Sequence, residues 1–126
     1  MTHEKPLANT FTLGVRDFDA QRGFYRRVGW PQVFDSEDFA VFDLRGALLA
    51  LFPVDKLAAD GHSRPEFGGG GIRFSVIIKV DEPADVDALA RDAYFCDPEG
   101  NFWEVAWAPP DNPVAAAARR AAGLAA

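Results

Sequence analysis

The chain of 126 residues and 13.8 kDa is the length of one ordinary domain, able to bury about two thirds of the surface its unfolded form exposes, and it needs no covalent staples. With 48% hydrophobic and 25% charged residues it is of the globular class, and its net charge of −6 is the wrong sign for gripping phosphate backbones, which excludes nucleic acid as a partner. A single cysteine, the absence of any apolar run near the roughly 18 residues of a membrane span, and a start without an apolar signal stretch predict a protein of the reducing cytoplasm with no membrane partner.

Residues 9–15 alternate, with Phe11, Leu13 and Val15 on one side and Thr10, Thr12 and Gly14 on the other, the period of a half-buried strand. Asp17 or Asp19 can cap the helix that follows to about Val28, where Gly29 supplies a left-handed stop. Strands are predicted at 32–34 and 39–44 around the polar turn 35–38, and Gly46 turns the chain into a fourth at 47–52. One or two helical turns fit 53–61. Residues 61–71, with five glycines, read as an exposed connection and not a domain boundary, because neither flank could bury its apolar face alone.

The pattern then restarts. A strand at 72–80 leads to a helix opened by Pro83 and running to about Ala90. Strands at 93–96 and 102–107 are joined by the turn Asp97-Pro98-Glu99-Gly100-Asn101, in which proline presets the bend and glycine supplies a positive φ. After Pro109-Pro110, Asn112 and Pro113 start an Ala/Arg-rich helix to about Gly123, whose alanine face predicts weak docking. The reading is one α+β domain over 1–126, with a first unit at about 9–53, a second at about 72–109 and a helical tail at 112–123.

The repeated β-α-β-β-β pattern, FYRRVGWP after the first strand and DPEGNFWEVAW at the close of the second unit resemble the vicinal oxygen chelate superfamily, the glyoxalase, bleomycin-resistance and extradiol-dioxygenase relatives. The resemblance covers about 9–109, and DPEGNFWE is its more specific part. It implies two βαβββ modules whose curled sheets surround a concave pocket, commonly completed by dimerisation. One departure stands out: the second unit spells only three strands, and Arg91-Asp92 is a poor return from its helix, whose eight residues advance about 12 Å. An open sheet edge beside the pocket invites aggregation, so the expectation is that a segment is missing between about Ala90 and Asp92.

In metal-dependent members of the superfamily, four strand positions point His or Glu into the pocket. Carried over by the resemblance, they are Thr10, Ala50, Ser75 and Glu104 here, and only Glu104 is a plausible ligand. The resemblance therefore argues against the family metal, and no cofactor is expected. His3 and His62 lie off the predicted strands and read as solvated, which also leaves no Ser-His-Asp arrangement. Cys96 reads as a packed, inert thiol. The run Gly68 to Gly71 precedes a strand, not a helix, and is no phosphate loop.

Alternation along 102–107 places Phe102, Glu104 and Ala106 on the pocket side and Trp103, Val105 and Trp107 under the helices. Glu104 is the candidate catalytic or ligand-binding carboxylate, with a purely internal pairing to Arg73 or Thr12 as the competing reading. The same parity gives a ligand-binding set on the first unit of Thr10, Thr12, Leu48, Ala50 and Phe52. On the second it gives Arg73, Ser75, Ile77, Phe102 and Glu104. The expected function is metal-independent binding of a small organic ligand by a homodimer. A metal-using lyase or dioxygenase of the same superfamily and a non-catalytic structural or interaction domain are the alternatives, and whether any reaction is catalysed stays open.

Overall fold

The computed structural model describes residues 6, 8–67, 74–89 and 94–124. The alternating run near the start forms β1 (Thr10–Val15). The helix α1 (Phe18–Val28) begins where the Asp17 carboxylate accepts the Ala20 amide at 3.0 Å, filling one of the free N–H groups of the first turn. Asp19 in the first turn and Arg26 and Arg27 in the last complement the helix dipole, and Gly29, at φ 98°, ends the helix in a left-handed conformation. β2 (Gln32–Asp35), β3 (Ala40–Leu44) and β4 (Ala47–Pro53) complete a four-stranded sheet in the order β1-β4-β3-β2, with β1 and β4 parallel and the other pairs antiparallel.

α2 (Val54–Asp60) folds back against β1 and β4. It comes close because residue 14 has no side chain: a β-carbon there would lie 3.0 Å from Val54 Cγ2 and 3.2 Å from Leu57 Cδ2. The second unit comprises β5 (Ser75–Lys79), α3 (Pro83–Leu89), β6 (Tyr94–Cys96) and β7 (Phe102–Ala106). Its sheet has the order β5-β7-β6, with β5 and β7 parallel as β1 and β4 are. Among the described residues the second sheet has the three strands that the sequence spells, one fewer than the first. The predicted break between Ala90 and Asp92, the run Gly68 to Gly71 and His3 lie outside the described residues. The tail forms α4 (Pro113–Ala121), capped by Asn112, whose side chain accepts the Val114 and Ala115 amides at 3.0 Å each.

The core gathers Val15, Tyr25, Phe42, Leu49 and Leu51 from the first unit with Trp103 from the second. The Trp103 ring meets Trp30 edge-on at 4.9 Å and Tyr25 at 6.0 Å. The turn between β6 and β7 docks onto α1. Asp97, 3% exposed, accepts the Glu99 and Asn101 amides on Oδ1 at 3.0 and 2.9 Å, and Gln21 Nε2, the Tyr25 hydroxyl and Asn101 Nδ2 on Oδ2 at 2.7, 2.7 and 2.8 Å. Two residues on, the Glu99 carboxylate accepts the Arg16 amide at 2.8 Å and the Asp17 amide at 2.7 Å, where β1 passes into α1.

Filling the space at residue 14 should be costly. Gly14→Ala is expected to destabilise the fold by about 1–3 kcal/mol, the usual cost of overpacking, seen as a lower urea midpoint with an unchanged slope. An unchanged midpoint would show that α2 is not held against β1.

Candidate functional site

Strand pairing decides which of the predicted site residues share a face. In the first sheet Thr10 lies opposite Leu48, Thr12 opposite Ala50 and Gly14 opposite Phe52, so these five predicted residues point to one side. In the second, Ser75 lies opposite Phe102 and Ile77 opposite Glu104, again one side. Thr10 and Thr12 are exposed, Ala50 is fully buried, and Leu48, Phe52, Ser75, Phe102 and Glu104 are half-buried. α2 approaches this face of the first sheet at its Gly14 end. Arg73 lies outside the described residues. Each sheet therefore assembles its own half of the predicted set, and among the described residues no hydrogen bond or ion pair joins the halves.

β7 alternates as predicted through Val105, but Trp107, predicted to pack under the helices, lies past the end of the strand and is 39% exposed. Trp103 and Val105 are 2% and 1% exposed in the core, and Glu104 faces the other way. What holds Glu104 is a residue the sequence reading missed. Tyr94 on β6 lies directly opposite it, so that the two side chains project beside each other on one face of the hairpin. The charge of Glu104, then hydrogen bonding toward its carboxylate, then desolvation raise the pKa of the Tyr94 hydroxyl. The signal was available: a hairpin that pairs Cys96 with Phe102 must pair Tyr94 with Glu104 two residues further from the turn. The same register corrects the expectation for Cys96, which is exposed and not packed. It projects to the side of Tyr94 and Glu104, whereas its neighbour Phe95 packs against the core with Trp103.

The four positions at which the resemblance implies metal donors are equivalent by pairing. Ala50 lies two residues beyond the partner of Thr10, and Glu104 two residues beyond the partner of Ser75. Two hydroxyls, a methyl and one carboxylate do not suit a transition metal, which takes three or four nitrogen, sulfur or carboxylate ligands. His62 sits in the exposed turn after α2, at φ 54°, and among the described residues no group of three or more His, Cys, Asp and Glu could hold a metal. The residues present do not fit the family's metal. A cleft of about 840 Å³ lies elsewhere, between the edge strands β1 and β5 and beneath α4, and of the nine predicted binding residues that are described only Ile77 borders it.

No protein-family model and no curated protein sequence matches the chain. Solved structures do. A glyoxalase-related enzyme from Fulvimarina pelagi superposes with a TM-score of 0.68 at 24% identity, over 81% of this chain and 88% of that one. A glyoxalase/bleomycin resistance protein/dioxygenase from Nocardioides gives a TM-score of 0.70 at 21% identity, over 84% and 85%. A bleomycin-binding protein in complex with bleomycin gives 0.54 at 17%, over 83% and 100%.

The tyrosines report on this geometry. Of the two, Tyr25 is fully buried, and desolvation followed by the Asp97 charge pushes its ionisation far above the usual range, so Tyr94 is expected to ionise first. Because its folded pKa is raised, the associated stability is complete below the unfolded value near 10 and is lost as pH rises through the folded value. In a spectrophotometric titration, Glu104→Gln should lower the first tyrosine transition. A transition that the variant leaves in place would show that the Tyr94–Glu104 pair does not form.

Proposed function

Because the chain has the fold of the glyoxalase, bleomycin-resistance and dioxygenase proteins, the vicinal oxygen chelate superfamily, we propose that it binds a small organic ligand on the strand face that carries Glu104, without the family's metal. The observation that carries this reading is the donor set at the four paired positions, Thr10, Ala50, Ser75 and Glu104, in which one carboxylate replaces a metal-binding group. Glu104 supplies a charged acceptor and the Tyr94 hydroxyl a donor beside it, so the pair suits a ligand offering a polar hydrogen and an acceptor oxygen close together. Phe102 and Ile77 on the same sheet, and Leu48, Ala50 and Phe52 on the other, provide apolar surface, and Thr10, Thr12 and Ser75 add hydroxyls. Arg73, one pleat before Ser75 in the sequence, is included as a cation for an anionic ligand.

A homodimer completes the reading. Ile77 and Tyr94 flank Glu104 while 47% and 43% exposed, an unusually open setting for large side chains, and a second copy laid on this face would cover them. The bleomycin-binding neighbour supports small-molecule binding by this fold. A base role for Glu104 would need a ligand proton within hydrogen-bond reach of its carboxylate.

Protein purified without added metal is expected to contain far less than one Zn, Ni, Fe or Mn per chain by mass spectrometry. One tightly bound equivalent would overturn the metal-free reading and favour a metal-using enzyme. In a thermal-shift screen of small organic compounds, a binder at ~100 times its Kd adds about 2.7 kcal/mol. Glu104→Gln should remove that shift and leave the melting temperature of the free protein nearly unchanged. A shift that survives the substitution would place the ligand elsewhere.

A further inference from the structure

We propose that the cleft beneath α4, which meets the Glu104 face along β5 at Ile77 and Lys79, is a second binding site, for a small planar aromatic anion. The cleft exists because α4 is tied down near its C-terminal end and presents small residues along the stretch before it. At its start Asn112 caps it, near its end Arg119 pairs with Asp81 at 3.3 Å, and the Ala122 β-carbon lies where a side chain on residue 46 would come within 3.1 Å of it. Between these points the helix presents Ala115 and Ala118, whose methyl groups are too short to fill the space above the sheets.

The floor is aromatic. All three tryptophans of the chain, Trp30, Trp103 and Trp107, border the cleft. Trp30 and Trp103 are locked edge-to-face, while Trp107 is 39% exposed and offers an open ring surface for stacking. A volume of about 840 Å³ is in the range of small-molecule sites, ample for a two-ring ligand. Charge selects the sign. The cleft is bordered by Arg45, Lys79 and Arg119 against Asp43 and Asp81, a local excess of cations on a chain of net charge −6. Asp81 is already paired with Arg119, and among the described residues Arg45 and Lys79 make no ion pair. An anion lying over Trp107 would give these two cations a partner.

The probe is 1-anilinonaphthalene-8-sulfonate, a two-part aromatic monoanion whose fluorescence rises in apolar surroundings and which accepts energy from tryptophan. Titration of the folded protein should show saturable binding of one probe per chain with quenching of tryptophan emission. The double charge reversal Arg45→Glu with Lys79→Glu lies on exposed side chains and should weaken binding at least fivefold without altering the urea midpoint. Ala118→Trp, which places an indole in the cleft, should weaken it at least tenfold. If that variant lowers the urea midpoint, the charge reversal decides. Glu104→Gln should leave the affinity within twofold, which separates this site from the one on the strand face. Absence of saturable binding, binding indifferent to the charge reversal, or binding lost with Glu104→Gln would each overturn the proposal.

Discussion

A carboxylate shut away from water is tolerable only when donors fill its lone pairs, and Asp97 meets that condition with five hydrogen bonds drawn from two parts of the chain, its own turn and α1. Two come from amides of its own turn, which fixes the turn. Two come from Gln21 and Tyr25, one helical turn apart on the buried side of α1, which fixes the helix against that turn. The Tyr25 hydroxyl in turn accepts Trp103 Nε1 at 2.9 Å, so a chain of hydrogen bonds runs from the indole of β7 through the tyrosine to the carboxylate. Sliding α1 against the second unit would strand several buried polar groups at once. The arrangement has a loose end: because Asp97 takes the amide nitrogen of Gln21, Oε1 of that side chain is buried without a hydrogen-bond partner among the described residues.

This attachment on the core side leaves the opposite side of β7 turned away from the core. Trp103 anchors β7 from within, and one residue later the strand must turn Glu104 outward, beside Tyr94. Glu99 acts in parallel at the junction of β1 and α1, by accepting the amides of Arg16 and Asp17, and so helps set where Thr10 and Thr12 present their hydroxyls. Asp97 and Glu99 of the closing turn are thus structural, and Glu104 is the carboxylate of this hairpin that the core does not use. A metal is not needed to position Glu104, since the hairpin and the tryptophan do so already.

Strand periodicity made most of this legible. The alternation around β1 and β7 predicts which residues enter the core, and the structure buries Val15, Trp103 and Val105 accordingly. The helix caps at Asp17 and Asn112 follow from side chains that compete well for free amides. Cys96 was misread because apolar character suggested packing, whereas the hairpin register sets its side. Tyr94 was missed for the same reason, since cross-strand partners follow from counting back from the turn and not from composition. The cleft beneath α4 leaves no periodic trace: it depends on how the C-terminal end of an alanine-rich helix is held, at Gly46 and Asp81, which are distant in sequence.

The claim that the Asp97 carboxylate locks α1 to the closing hairpin is tested most directly by a double-mutant cycle with Tyr25→Phe and Asp97→Asn, read by urea unfolding. Both substitutions keep shape and remove one side of the contact. A coupling free energy of about 1–3 kcal/mol between the two sites is predicted, because each loss makes the other partner's group less well satisfied. Additive effects, with coupling indistinguishable from zero, would contradict the account and mean that the Tyr25–Asp97 contact does not lock α1 to the closing hairpin.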